Sequence, residues 1–465
     1  MSKNKRLLII LLAIAAVLAA GVAVILLTAP AETVSSSEPD EAVVMYSVTR
    51  DQFLRASVTN ESGGFTLVKT ADGGYTVEEA EGFETNDYST GWVGDKLLAP
   101  NASRTVSSPG PLSEYGLDSP AATCRVELSD GTAKTLLLGG EAPSGGRYMA
   151  LEGEEGVYIV THNLPLYLTR SAASYVETDV IPTKDDYPEG TDTNVKYVFL
   201  GGKKRAENVE IIMDPNYVSD ETASTPYVMT QPIEYPVNST TTGDLVTYAS
   251  GMSFTECAEI RLTPERLAFY GLDDPDYTLV FRFAESEVRI DFADAGDFCY
   301  AKMDGFDAVF IAYPTYTSFL SDPADKYMSR LTFTKSLSAL AGLTVTSADG
   351  THVFRVEHPD GETVPYCGSL KLDADNFKQF YENLIMTLSE GRTDATPSGP
   401  AYLTLIYSFN DGSPDVKVEF VHVNNLRYAY LIDGEGSFFM LKSQVDAIVS
   451  DAALVAENKP VKSTI

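Results

Sequence analysis

The seven residues EYGLDSP at 114–120 recur as FYGLDDP at 269–275. A phrase written twice in one chain points to repeated structural units rather than one continuous domain. In LTPERLAFYGLDDP (262–275), Thr263 can cap a short helix and Pro264 suits its first turn. Gly271 stands where the helix must stop, because glycine takes the left-handed conformation cheaply. Leu272 can then fold back onto the last turn, and Pro275 prevents helical continuation. The first phrase, SSPGPLSEYGLDSP, has the same grammar in Ser108, Pro109, Gly116, Leu117 and Pro120. Each phrase reads as a helix stop that launches a strand. A ligand loop built on Tyr115 and Tyr270 is the functional alternative.

The flanking text repeats too. ATCRVELSDGTAKTLLLGG follows the first phrase and YTLVFRFAESEVRIDFAD the second, each a predicted β-hairpin by its alternation of apolar and polar residues. A second strand pair follows, RYMALEGEEGVYIV and CYAKMDGFDAVFIAY, then an apolar stretch of helical character. The C-terminal region repeats the pattern without the phrase: AYLTLIYSFNDGSPDVKVEFVHV, RYAYLIDGEGSFFML and the helical SQVDAIVSDAALV. Upstream of each copy a hairpin leads into a helix, over 85–99, 239–250 and 373–389. In the last helix, Phe377, Phe380, Tyr381, Leu384, Ile385 and Leu388 share one face, with Asp373 or Asp375 at its start and Gly391 at its end. The predicted fold is α+β: an N-terminal transmembrane helix, then about three units of antiparallel sheet with packed helices, at 43–190, 191–330 and a divergent 331–465.

The N-terminus predicts the location. Residues 1–6 form a basic tail with Lys3, Lys5 and Arg6, and the run from Leu7 to Thr28 carries no charge. As a helix that run is about 33 Å long, enough to cross a hydrocarbon core of roughly 30 Å. It exceeds the apolar region of a cleaved signal peptide, and no Cys follows it for lipid attachment. The basic residues precede the span, so the N-terminus is expected in the cytoplasm and the rest outside the cell membrane. The lipid bilayer is thus the expected partner of residues 7–28, and residues 29–42 are a polar linker. Cys124, Cys257, Cys299 and Cys367 are scattered without a CxxC pair, and Cys124 reads as a core residue. With 34 basic and 66 acidic side chains the net charge is −32, a surface that repels nucleic acid, so no nucleic-acid partner is expected.

The basic start, single span, YGLDxP repeats, following hairpin and "Y…G…VY/VF" strand pair together resemble the bacterial domain-of-unknown-function 4340 family (DUF4340). The resemblance is firmest over 112–176 and 267–325. It implies a membrane-anchored accessory protein beside ABC-transporter components of the gliding-motility auxiliary type, with a permease or its ATPase as partner. It implies no reaction.

The search for chemistry agrees. His162, His352, His358 and His422 form no HExxH or helical zinc pair, and neither GxSxG nor GxxxxGK[ST] occurs. The glycines of LGG at 138–140 and of GG at 201–202 read as turn glycines. Asp291, Asp294 and Asp297, and Asp373 with Asp375, lack the spacing of an EF-type calcium loop and read as turn and cap chemistry. Tyr148, Tyr158, Tyr300, Tyr313, Tyr428 and Tyr430 recur on the second strand pair, as cross-strand packing or as the lining of a groove. No catalytic, cofactor-binding or metal-binding residue is assigned. The expected function is a non-catalytic accessory protein of a transport complex. A surface binding module for a peptide, glycan or cell-wall component is the alternative, and a cell-envelope enzyme the weaker one.

Overall fold

A computed structural model describes residues 43–215, 217, 225–283, 286–331, 335–393, 397 and 399–463. The predicted span Leu7–Thr28, with the tail and linker around it, lies outside the described residues. Among the described residues no helix is long and apolar enough to cross a membrane. The chain divides into two compact units, one ending at Val176 and one starting at Glu177.

The first unit holds an eight-stranded antiparallel sheet. Its chain path explains the strand order. A three-stranded meander comes first: Phe53–Asn60, Phe65–Lys69 and Tyr75–Val77. The helix Asp87–Leu98 then crosses to the other edge, where the short strand Arg104–Thr105 pairs with Val157–Val160. A four-stranded meander follows: Ala122–Leu128, Ala133–Glu141, Arg147–Leu151 and Val157–Val160. The first strands of the two meanders pair antiparallel, Val58 opposite Cys124, which fuses them into one sheet.

The second unit repeats this order twice, in two nine-stranded sheets whose first meanders have four strands. In one, Val195–Gly201 pairs with Tyr277–Phe283, and Glu256–Ile260 forms the far edge. In the other, Leu340–Ser347 pairs with Ala401–Phe409, and Gly391–Arg392 forms the far edge. The two sheets of this unit touch through Tyr235, whose hydroxyl lies 2.6 Å from that of Tyr430 and whose ring stacks on Phe438 at 4.4 Å. Arg392 also makes a two-pronged ion pair with Glu207.

The α+β class and the repeated sheets agree with the sequence, but several local expectations need correction. The upstream elements are meanders of three or four strands, not hairpins. The helix predicted over 373–389 runs Ala374–Ile385, with Asp373 accepting a hydrogen bond from the Asn376 N–H. It stops early because Glu390 donates its N–H to the Phe439 carbonyl, and Gly391 enters the sheet edge instead of ending the helix. Phe377, Phe380, Tyr381 and Leu384 are buried, the two phenylalanines against Phe354, while Leu388 lies beyond the helix and is exposed.

The two phrases seat alike. In the second, Thr263 accepts from the Arg266 N–H at the helix start, and Gly271 is left-handed. The Leu272 N–H reaches the Leu267 carbonyl and the Gly271 N–H the Ala268 carbonyl, a Schellman stop. In the first, Leu117 and Gly116 make the same pair of bonds to Leu112 and Ser113. Ser108 is not a cap there. Gly110 precedes Pro111, which disfavours the helical conformation at Gly110, so only the turn Leu112–Tyr115 is helical. Leu117 packs on Ala150 and Val157, and Leu272 on Ala293 and Val309. Gly139 is not a turn glycine: it sits within a strand, and a Cβ there would meet the Tyr115 carbonyl oxygen at 2.2 Å.

Leu117→Ala is expected to cost about 2–5 kcal/mol, the range for emptying a packed leucine site. Leu112→Ala, at a 43% exposed side chain, is expected to stay within about 0.5 kcal/mol. Urea unfolding of the purified full-length chain compares the two. Equal effects would mean that the phrase is not a structural seat.

Candidate functional site

The phrase carries a tyrosine onto the outer face of each of the first two sheets. Tyr115 meets Tyr148 edge-on at 4.9 Å, and Tyr270 meets Tyr300 edge-on at 4.6 Å. These contacts align the two copies residue by residue. Tyr148 lies opposite Ile159, and Ile159 opposite Arg104. Tyr300 lies opposite Ile311, and Ile311 opposite Glu256. The outermost position of this row is therefore a cation in one copy and an anion in the other.

Around this row the second copy is aromatic. Phe269, Tyr270, Tyr300, Phe298 and Tyr313 form a chain of rings with centroids 4.6 to 6.1 Å apart. Its ends are open: Phe269 is 67% and Tyr313 46% exposed. Tyr313 is not on a strand as expected but precedes the short helix Pro314–Thr317. Arg266 lies over the Phe269 ring at 4.2 Å and is held by both oxygens of Glu259, which also accepts from the Tyr270 hydroxyl at 2.8 Å. Arg266 holds the Glu259 carboxyl below its ordinary range, while burial and that carboxylate push the Tyr270 phenol up to about 12.

The same region of the first copy is a polar cleft of about 510 Å³. It is lined by Ser103 and Arg104 of the edge segment, Ser144 and Gly145 of a turn, and Ile159, Thr161 and His162 at the end of the last strand. Arg104 donates to the Ser144 hydroxyl, and the Ser103 and Thr161 hydroxyls bond each other. His162 forms one wall. Its Nε2 donates to the Asn101 carbonyl at 2.7 Å and its Nδ1 accepts from the Leu164 N–H at 3.2 Å. That arrangement fits only a neutral ring. Burial, opposed by the Asn101 bond and assisted by the Lys96 charge, holds its pKa below the ordinary value. Trp92, the only tryptophan, packs edge-on against this ring at 6.3 Å and stacks on Tyr167.

Most of the other residues singled out in the sequence have structural partners. His352 packs near Phe354, His358 contacts the Leu340 carbonyl, and His422 packs on Tyr428. Asp291 accepts from Thr278 and Arg289; Asp294 accepts from the Gly296 N–H and Lys204. Among the described residues no group of three His, Cys, Asp or Glu side chains is placed to hold a metal ion. All four cysteines are free thiols, Cys124 fully buried. Burial pushes all four thiols up, Cys124 and Cys257 to about 12, the direction opposite to an activated nucleophile. Tyr148, Tyr158 and Tyr300 are half-buried on their strands, and Tyr428 and Tyr430 are buried.

Residues 94–187 match the family model described as domain of unknown function DUF4340. This stretch is a DUF4340 domain. The match takes in the first phrase, the four-stranded meander and every residue that lines the polar cleft. It is narrower than the resemblance read over both 112–176 and 267–325, because the second phrase lies outside it. No curated protein and no solved structure matches the chain. The DUF4340 cleft had no signature in the sequence, since its residues come from three separated segments.

The neutral His162 makes the DUF4340 segment acid-sensitive. Its folded pKa lies below the ordinary 6.5, so below that pH the unfolded chain binds a proton that the fold refuses. Its contribution is fully present above pH 6.5 and is lost as pH falls through the folded value. Thermal unfolding at pH 7 and pH 5 should therefore show a smaller acid shift in His162→Gln than in the wild type. An unchanged shift would place the proton elsewhere.

Proposed function

We propose that the chain is a membrane-anchored extracytoplasmic accessory protein, a non-catalytic partner of an ABC-type transport complex. The uncharged run Leu7–Thr28 behind Lys3, Lys5 and Arg6 supports the anchor and its orientation. The transport association rests on the family resemblance. The observation that most favours contact over chemistry is the aromatic strip of the second copy. Its rings are open at both ends, while the charged groups beneath them are engaged with each other. Such a surface offers rigid contact area and no reacting group, and aromatic residues are enriched where proteins meet. The same strip favours one second reading, a surface module that captures a peptide, glycan or wall component.

In-cell cross-linking of the tagged full-length chain separates the two. An ABC permease or its ATPase should be trapped, and replacing Leu7–Thr28 by an unrelated span or changing Phe269→Ser should reduce the yield. Recovery of wall material or secreted peptides alone would favour the second reading.

A further inference from the structure

The polar cleft of the first copy points to a ligand that the accessory role does not supply. We propose that it is a binding site for a phosphate group, free or carried on a larger molecule.

The lining supplies hydrogen-bond donors and no carboxylate. Arg104 provides a guanidinium with five N–H donors, of which the structure commits one to Ser144. Among the described residues Arg104 forms no ion pair. The Ser103 and Thr161 hydroxyls have two protons between them, and their mutual bond consumes one. The donors belong to three segments: the edge at 101–104, the turn at 144–145 and the strand end at 159–162. A planar carboxylate is served by one guanidinium fork. Donors converging from three segments suit a tetrahedral oxyanion. The cleft is larger than a bare phosphate, which leaves room for whatever bears it.

Two objections fail on magnitude and on geometry. The net charge of −32 opposes an anion, but at 0.1 M salt the screening length is about 10 Å, so distant carboxylates weigh little. The cation could instead be something the scaffold requires. The second copy answers that, because it places Glu256 at the register of Arg104 and forms the same edge pairing. The third copy carries Arg392 on this edge, opposite Phe438, but Glu207 already holds that arginine on both prongs. Of the two edge arginines, Arg104 is the one without a carboxylate partner among the described residues.

The test uses the purified full-length chain in detergent, with inorganic phosphate as the probe. Trp92 lies against the His162 wall and is the only tryptophan, so its fluorescence reports the cleft, with calorimetry alongside. Phosphate should bind saturably where chloride at equal ionic strength does not. Arg104→Glu should weaken binding by roughly tenfold to a hundredfold, the effect of losing a charge-assisted hydrogen bond. Arg104→Lys should keep part of it as a point charge. An unchanged unfolding midpoint shows that Arg104→Glu is folded; should it unfold, Ser144→Ala serves instead, with a several-fold weakening expected. A glycerol phosphodiester titrated in parallel distinguishes sources: tighter binding than inorganic phosphate assigns the group to a larger molecule, and weaker binding assigns it to the free ion. Absence of saturable binding by both probes, or unaltered affinity in folded Arg104→Glu, overturns the proposal. The outcome is independent of whether a transporter partner is trapped.

Discussion

The antiparallel pairing between the first strands of two successive meanders is the contact on which each copy depends. In the first copy it joins Phe53–Asn60 to Ala122–Leu128. These strands are separated by a meander, a helix and an edge strand, so the loop that must close is long. Closure entropy grows only slowly with length, but the pairing is non-local, so its cost is met before the contact rewards it. Once it forms, the crossing helix has one edge to reach, and the short strand after it has one partner. The phrase follows from the same constraint. It must bring the chain from the far edge back to the middle of the sheet, and a one-turn helix with a left-handed glycine stop does so while burying one leucine.

This route leaves the outer face of the second meander as the variable surface. The phrase covers its middle, with Leu117 or Leu272 buried and the tyrosine rings edge to edge. What lies beside the phrase is free to differ, because it bears on no core contact. The first copy places Arg104 and hydroxyls there, and the second places Glu256, Phe298 and Tyr313. One backbone position in one row thus carries opposite charges without any change in pairing.

What the sequence made legible was local. Thr263, Gly271 and Leu272 act within one turn of chain, and Asp373 caps the residue three positions on. The misreadings have the opposite character. Gly139 looked like a turn residue, but its lack of a side chain serves a carbonyl that arrives from Tyr115. Gly391 looked like a helix stop, but its partner is Phe439. The edge strand Arg104–Thr105 is too short to show any alternation. The cleft was hidden for the same reason. Its side chains belong to three segments that share no spacing, and only the paired strands bring them together.

Two arginines show why composition alone misleads about partners. Arg266 and Arg104 both stand on outer faces near a phrase, in a chain of net charge −32. Arg266 has a carboxylate on its fork and an aromatic ring beneath it, so its charge is already neutralised within the fold. Arg104 has a serine hydroxyl, which orients a guanidinium without compensating its charge. An overall negative field sets the long-range preference for cationic or neutral partners. At contact distance the decision passes to whether each cation is already paired, and there the two copies differ.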